Sequence, residues 1–209
     1  MILIDLAGDE AHPVYEELQI SNNSRQYDFL LSIIKASIDI QRPFLSAQLM
    51  KALNFHAIAC LHISAGEYRP CGVEVGKDAN KYTPPAPYRV PALMDDFINY
   101  VNYAWSTSDP LVLGAFVLWR LNHIHPFING NGRTARAICY YVICARIGGL
   151  LPGTTMLPAL LKRDRPDYVD ALKKVDKSLE TTLDLTPLTE LIQKLINEQL
   201  ASDGQPNSP

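Results

Sequence analysis

The hydrophobic positions of the chain repeat at helical spacing through most of its length. Tyr27, Leu30, Leu31, Ile34 and Ile38 fall on one face of a helix, and similar faces recur further along. An apolar residue at every third or fourth position is typical of an amphipathic α-helix. The pattern predicts helices at about 25–40, 46–63, 91–105, 109–119, 133–147, 165–181 and 187–200.

The segment from Leu111 to Trp119 is apolar on every side of its predicted helix. A helix of this kind normally lies at the centre of a bundle, because none of its faces suits water. The segment is far shorter than the ~20 apolar residues that a helix needs to cross a bilayer. We therefore expect a buried core helix rather than a membrane span.

One segment, between Gly66 and Pro85, departs from the helical pattern. Residues 73–75 alternate apolar and polar positions, a Gly-Lys-Asp turn signal follows at 76–78, and residues 81–83 precede two prolines. This order predicts a short β-hairpin. A lone hairpin is only marginally stable in water, so it has to pack against the helices. It could be a plain connector, or its open edge could receive an extended peptide from a partner.

The composition is that of an ordinary globular protein, with 47% hydrophobic and 20% charged residues in a chain of 209. This length fits one domain, or one domain with a small appendage. The net charge of −3 provides no general basic face, which argues against nucleic acid as a partner. The four cysteines show no C-x-x-C spacing, so neither a zinc knuckle nor a redox motif is indicated.

The first residues of the chain lack the features of a secretory signal. Asp5, Asp9 and Glu10 stand there without a basic start or a long apolar run. We therefore expect a cytoplasmic protein that does not bind a membrane. Delivery into another cell by a specialised secretion system would leave no trace in these features.

The stretch from residue 125 to residue 136 concentrates the chemistry of the chain. His125 is followed by a Gly-Asn-Gly turn at 130–132 and then by Arg133 and Arg136. Glycines let backbone N–H groups approach an anion, and a helix N-terminus adds a favourable field. The arginines supply charge for further phosphate oxygens, and the histidine can accept a proton near neutral pH. The stretch predicts a polyphosphate cradle with a proton acceptor beside it.

This stretch resembles the signature of the Fic family, H-x-F-x-(D/E)-G-N-G-R-x-x-R. Seven of the eight specified positions match, and the exception is Asn129, where the family carries Asp or Glu. The resemblance also takes in residues 66–69, 82–85, 168–172 and 185–187, so it covers roughly residues 45–195. It implies an all-α, Fic-type helical bundle with a short β-hairpin flap over the active site.

The resemblance and the composition together predict a division of the chain. Residues 1–44 would form an N-terminal segment and helix, and residues 45–200 would form the Fic core domain. Residues 201–209 would be a polar, disordered tail. No internal repeat or long linker argues for a second domain.

The activity implied by the resemblance is transfer of AMP from ATP, with Mg²⁺ or Mn²⁺, to a Ser, Thr or Tyr hydroxyl of a target protein. His125 would accept the hydroxyl proton, and Phe127 would anchor its loop in the core. The residues that bind phosphate would be Gly130, Asn131, Gly132, Arg133 and Arg136. The target protein would bind along the flap, at Val73, Glu74, Val75, Lys81, Tyr82 and Thr83.

Asn129 leaves several outcomes open. In the family the carboxylate at this position helps to hold Mg²⁺, a hard cation that favours oxygen ligands. Asparagine offers one neutral oxygen, which makes Asn129 a weak candidate metal ligand. The transferase could be weakened, its nucleotide or metal preference could be altered, or the protein could bind nucleotide or a partner without transfer. Transfer of another phosphate-containing group, or removal of AMP, on the same cradle is a further alternative.

Many Fic proteins carry an inhibitory helix with a (S/T)-x-x-x-E-(G/N) motif, whose glutamate pairs with the second signature arginine. This chain has no clean copy of the motif. Residues 24–29 have Asp in place of Glu, and residues 186–191 end in Leu within a predicted core helix. Inhibition would then come from a separate small antitoxin-like protein, or be absent.

Overall fold

The computed structural model describes residues 10–76 and 81–202. These residues form eight α-helices and one short 3₁₀ helix, which confirms the prediction of an all-α fold. In chain order the elements are α1 Pro13–Asp39, α2 Ala47–Ile58, the 3₁₀ helix Pro87–Arg89, α3 Val90–Ala104, α4 Pro110–Ile124, α5 Asn131–Ile147, α6 Leu157–Arg163, α7 Arg165–Ser178 and α8 Thr186–Ala201.

Helices α4 and α5 pack against each other at the centre of the bundle, as the apolar segment 111–119 predicts. Leu118 on α4 and Ile138 on α5 are fully buried. Helix α5 also packs against α1, α2 and α6, and α4 packs against α3 and α8. The loop between α4 and α5, residues 125–130, is therefore held at both ends by helices of the core.

Helix α1 begins at Pro13, well before the start that the apolar pattern predicts near residue 25. Its inward positions here carry polar side chains, which hydrogen-bond to the backbone of the next elements. Asn22 donates to the carbonyl of Ala59 and Gln26 to the carbonyl of Leu53, each at 2.9 Å. Because these buried residues are amides, the first half of α1 has no apolar periodicity to reveal it.

One other boundary and one whole helix differ from prediction for local reasons. Helix α2 ends at Ile58 rather than near residue 63, because Ala59 is extended and Cys60 has a positive φ of 64°. The sequence pattern does not predict α6, whose seven residues are too few to establish a helical period.

The predicted β-hairpin flap is wrong for the described residues, which contain no β-strand. Val75 and Tyr82 form an isolated antiparallel bridge, with N–H···O distances of 2.9 and 2.8 Å. Lys81 and Glu74 form an ion pair at 2.8 Å beside it. A two-stranded ribbon gains little stability by itself. Between residues 71–76 and 81–85, the described pairing is this one bridge. We call residues 71–76 and 81–85 the flap segments.

Several predictions fall wholly or partly outside the described residues. They are the turn at 76–78 beyond Gly76, the tail beyond residue 202, and the first nine residues, where no secretory signal is expected. The division into residues 1–44, 45–200 and 201–209 remains a prediction. No helix within the described ranges has both the length and the apolar character that a membrane span requires.

Candidate active site

A cavity of about 900 Å³ lies beside the loop between α4 and α5, with α1 on one side and α7 on the other. Most of the predicted site residues line it. They are His125, Asn129, Gly130, Asn131, Gly132, Arg133 and Arg136, together with Val75 and Tyr82 of the flap segments. The flap residues Val73, Glu74, Lys81 and Thr83 are not among its lining residues.

His125 caps the C-terminus of α4 in the left-handed conformation, with φ 51° and ψ 59°. Few residues other than glycine adopt this conformation, so the surrounding bonds must hold it. The N–H of His125 donates to the carbonyl of Leu121 at 2.9 Å, and the carbonyl of His125 accepts from Arg69 Nε at 2.8 Å. The backbone of His125 is thus fixed from both sides.

The environment of the His125 ring favours its neutral form. Burial lowers the pKa of His125 to about 4, against a hydrogen bond with the Asn122 backbone and with help from the charge of Arg69. A neutral imidazole can accept a proton, whereas an imidazolium cannot. At pH 7 the ring is therefore in the form that a general base requires.

The loop that follows His125 is braced from inside by Asn131. The Asn131 side chain accepts from the N–H of Phe127 at 2.9 Å and donates to its carbonyl at 2.8 Å. Phe127 is fully buried, as its predicted role as an anchor requires. Because both ends of the Asn131 amide are engaged in this way, its predicted contact with phosphate stays a prediction for its backbone N–H alone.

The N-terminus of α5 opens onto the cavity. The first N–H groups of a helix have no carbonyl partner within the helix, and here they belong to Asn131, Gly132 and Arg133. Gly130 caps the helix with φ 76° and provides no side chain to bond them. Several free N–H groups and the positive end of a helix dipole form a site that suits an anion.

Gly130 is also required by a close approach to Asn54, a residue that the sequence pattern does not single out. A Cβ atom at Gly130 would lie 2.9 Å from Asn54 Nδ2. Asn54 is fully buried and donates to the Asn129 carbonyl at 2.9 Å and to Thr134 Oγ1 at 3.3 Å. Its oxygen accepts from the N–H of Gly66 at 3.0 Å. Asn54 therefore ties α2 to the residues on either side of the Gly-Asn-Gly turn at 130–132, which we call the phosphate loop.

The two signature arginines have different surroundings. Arg133 donates to the carbonyl of Ala57 at 2.7 Å and lies 3.4 Å from Asn129 Oδ1. Arg136 lies within electrostatic range of Tyr168, Tyr27 and Arg165, and the described contacts give it no carboxylate partner. Burial lowers the pKa of both arginines, but a guanidinium keeps its charge in proteins. Arg165 and Lys162 line the same cavity, and Arg136 lies within electrostatic range of both Arg133 and Arg165, so this part of the cavity is basic.

Asn129 is a poor match for the Mg²⁺ that the resemblance implies. Its Oδ1 accepts from the N–H of Gly130 at 2.5 Å and faces Arg133, while its Nδ2 contacts His62 Nε2 at 2.9 Å. No group of three or more His, Cys, Asp or Glu side chains suited to a metal occurs in the described part of the chain. Since Mg²⁺ is usually bound through one or two carboxylates, these donors do not fit a protein-held ion.

Two residues attach the flap segments to the end of α4 and to the loop that follows it. Arg69 is 2% exposed, and its guanidinium donates to the carbonyls of His125, Cys71 and Pro85. Tyr82 donates from its hydroxyl to the carbonyl of His123 at 2.7 Å. The resemblance includes Arg69 within residues 66–69, before the predicted hairpin. No sequence pattern indicates that its hydrogen-bond partners are backbone carbonyls.

The wall of the cavity beyond His125 is built from three further side chains. Asp176 on α7 accepts from Trp119 Nε1 at 2.8 Å and lies 3.3 Å from His123 Nδ1. Burial favours a higher pKa for Asp176, but the hydrogen bonds from His123 and Trp119 lower it below its usual value. The carboxylate is therefore charged at neutral pH.

The two stretches compared with the inhibitory motif lie in different places. Residues 24–29 belong to α1, and Gln26 and Tyr27 of this stretch line the cavity while Asp28 is exposed. Residues 186–191 begin α8 and do not line the cavity. Among the described residues, neither stretch pairs a carboxylate with Arg136.

Three comparisons with known proteins agree with this geometry. A family model described as Fic/DOC family matches residues 44–143. A protein from Drosophila grimshawi called protein adenylyltransferase Fic is 31% identical over 170 residues, which cover 79% of this chain and 31% of that protein. This chain spans about a third of the length of the curated relatives that it matches over most of its own length.

Solved structures show the same fold. A Fic domain containing signaling protein from Bacteroides thetaiotaomicron superposes with a TM-score of 0.68 at 23% identity, covering 87% of this chain and 69% of that one. The BepC protein of Bartonella tribocorum, solved with bound AMPPNP, gives 0.55 at 12% identity and covers 86% of each chain. With the signature loop in place at the head of α5, this chain belongs to the Fic/DOC family through the domain that contains residues 44–143.

Proposed function

We propose that this chain is a protein adenylyltransferase, which transfers AMP from ATP to a Ser, Thr or Tyr hydroxyl of a target protein. The observation that carries the proposal is the position of a neutral His125 in the same cavity as the N-terminus of α5 and its two arginines. A proton acceptor and a phosphate site are thereby placed next to each other.

In the proposed reaction the target hydroxyl attacks the α-phosphorus of ATP. A bond forms between the hydroxyl oxygen and that phosphorus, the bond from the α-phosphorus to the bridging oxygen breaks, and pyrophosphate leaves. His125 takes the hydroxyl proton on its free ring nitrogen and later releases it to solvent. A positioned base of this kind contributes about 10²–10⁴-fold to the rate.

The charges of the cavity favour one orientation of a bound nucleoside triphosphate. Arg136 and Arg165 lie together, so the β- and γ-phosphates belong at this end, where the leaving pyrophosphate is stabilised. The N–H groups of α5 then face the α-phosphate next to His125. The base would extend toward Trp119 and Asp176, away from Arg136 and Arg165.

The target protein would approach from the side of the flap segments. The bridge between Val75 and Tyr82 fixes a short extended backbone beside His125. An extended target segment could pair with this backbone, which would bring its hydroxyl to the cavity. The residues Val73, Glu74, Lys81 and Thr83 lie outside the cavity and remain candidates for this contact.

The comparisons support the proposal at the level of the family. The relative from Drosophila grimshawi bears the name of an adenylyltransferase, and BepC was solved with AMPPNP, an ATP analogue. ATP is therefore the nucleotide to test first.

A second candidate function is nucleotide or partner binding without transfer, and Asn129 is the observation that favours it. Its amide replaces the carboxylate of the signature. Transfer of another phosphate-containing group, or removal of AMP, would use the same cradle. A small inhibitory protein is also a reasonable partner, because Arg136 has no carboxylate partner among the described residues.

The test is transfer of label from ATP to protein in a cell lysate, with Mg²⁺, Mn²⁺ or EDTA. Label from the α-phosphate should appear on protein with the wild type and disappear with His125→Ala, while label from the γ-phosphate should stay at the level of the lysate alone. Label from the γ-phosphate above the level of the lysate alone would indicate phosphoryl transfer by this chain instead. Stoichiometric ATP binding without label from either position would favour the binding module.

A further inference from the structure

The side chain of Asn129 is engaged on both sides, which fixes the direction in which its oxygen points. Oδ1 accepts from the N–H of Gly130 at 2.5 Å, so the amide oxygen must face this donor. Nδ2 faces the other way, 2.9 Å from His62 Nε2 and 3.5 Å from Glu10 Oε1. In the reverse orientation the Nδ2 donor of Asn129 would face the N–H donor of Gly130, so this orientation is excluded.

The groups around the Asn129 oxygen are N–H donors, which favour an anion at this place and disfavour a cation. Besides the Gly130 N–H, the Nη2 atom of Arg133 lies 3.4 Å from Oδ1. A divalent ion at this oxygen would have to displace an N–H donor and lie beside a guanidinium. The cost of this like-charge contact is not offset, because asparagine contributes no negative charge.

The nearest carboxylate described does not correct this deficit. Glu10 lies 3.8 Å from His62 and 3.5 Å from the amide nitrogen of Asn129, on the side away from its oxygen. Its side chain is 56% exposed, so water screens its charge. Glu10 and Asn129 therefore do not present their oxygens to a common point.

The cavity has positive charge of its own for a polyphosphate. Arg133 and Arg136 are mostly buried, and Arg165 and Lys162 line the same cavity. Guanidinium groups bind phosphate oxygens in pairs, and the N-terminus of α5 adds unpaired N–H donors. These groups can neutralise phosphate oxygens that a divalent ion would otherwise bridge.

We propose that this chain binds the phosphates of a nucleoside triphosphate without a divalent cation held by the protein. Arg133, held by the Ala57 carbonyl at 2.7 Å and lying 3.4 Å from the Asn129 oxygen, provides positive charge beside this oxygen in place of a bound ion. This inference rests on the proposed function only for the choice of ligand, since it concerns binding and not the transfer step.

The experiment is calorimetric titration of the full chain with ATP, once with excess EDTA and once with excess MgCl₂. The wild type should give dissociation constants that agree within about threefold. Asn129→Asp restores a carboxylate, so its binding should be tighter by about tenfold or more in MgCl₂ than in EDTA. Asn197→Asp makes the same change on the exposed face of α8, where the residue only accepts from Gln193, and should behave as the wild type.

Binding by the wild type that weakens tenfold or more in EDTA would overturn the inference, as would no detectable ATP binding under either condition. This result needs no variant, so a folding defect in Asn129→Asp would not affect it. The proposed function fails separately. Metal-independent ATP binding without transfer of AMP would support this inference and contradict the transferase, and metal-dependent binding with transfer would do the reverse.

Discussion

The Nε atom of Arg69 donates to the backbone carbonyl of His125 at 2.8 Å, and this bond links the flap segments to the candidate base. The same guanidinium donates to the carbonyls of Cys71 and Pro85, which lie in the two flap segments. A buried cation without a carboxylate partner is costly unless its donors are satisfied. Three carbonyls accept from the Arg69 guanidinium here. The bond to the His125 carbonyl also helps to hold His125 in its left-handed conformation.

Replacement of Arg69 by Gln should therefore destabilise the fold. The shorter, neutral side chain leaves buried carbonyls without donors, at a cost of about 3 kcal/mol in the free energy of unfolding. Urea denaturation measures this loss. Arg89→Gln is the matched control, because Arg89 is exposed and should change stability by less than about 0.5 kcal/mol. Equal stability of the two variants would contradict the role given to Arg69.

Gly130→Ala should damage the phosphate loop by two separate effects. The residue has φ 76°, and the added Cβ would lie 2.9 Å from Asn54 Nδ2 and 3.0 Å from Ile58 Cγ2. We expect a loss of about 2 kcal/mol in unfolding free energy and weaker ATP binding. Gly149→Ala meets no atom within 4 Å and should leave both quantities unchanged. ATP binding by Gly130→Ala at wild-type affinity would contradict the requirement for glycine at this position of the phosphate site.

The pH dependence of transfer should reflect the low pKa of His125, near 4. The base is neutral above this pH, so kcat/KM should be flat from about pH 5 to pH 7 and fall at lower pH. The folded state binds this proton less readily than the unfolded state, whose ordinary pKa is 6.5. The contribution of His125 to stability is therefore complete above pH 6.5 and declines as the pH falls toward 4.

NMR titration of the His125 ring separates these two effects, because it reports protonation directly. A midpoint near 4 in the folded protein is expected. A midpoint near 6.5, or an acid limb of kcat/KM centred there, would show that the ring is solvated and not buried beside Arg69.

Tyr82→Phe should loosen the flap segments while leaving the core intact. The change removes the hydroxyl that donates to the His123 carbonyl at 2.7 Å, a bond worth about 1 kcal/mol. Hydrogen exchange at the amides of Val75 and Tyr82 should become faster, and KM for the target should rise. Tyr88→Phe, at a residue 83% exposed, is the control. Unchanged exchange at Val75 would contradict anchoring through the hydroxyl.

The central helices and the phosphate loop were predictable because their signals are local. An apolar run predicts α4, and the spacing from His125 to Arg136 predicts a loop followed by a helix N-terminus. The first half of α1 was not predictable by periodicity, since Asn22 and Gln26 occupy its buried positions. These side chains stabilise the fold only through their hydrogen bonds to the carbonyls of Ala59 and Leu53, which are distant in sequence.

The residues that support the site were less accessible to sequence reasoning. Asn54 and Arg69 act through backbone carbonyls and N–H groups, which are present everywhere and mark no position. The extent of strand pairing in the flap was also predicted incorrectly. Alternating residues predict strands, but the described segments form one bridge, while the Arg69 and Tyr82 bonds carry the attachment.

The most direct test of the transferase proposal is mass spectrometry of the proteins of a lysate incubated with this chain and ATP. The account predicts peptides that carry AMP on a Ser, Thr or Tyr hydroxyl with the wild type, and none with His125→Ala. Modified peptides that persist in His125→Ala would contradict the role of the base. Saturating ATP binding by the wild type without any AMP-bearing peptide would contradict the transferase itself.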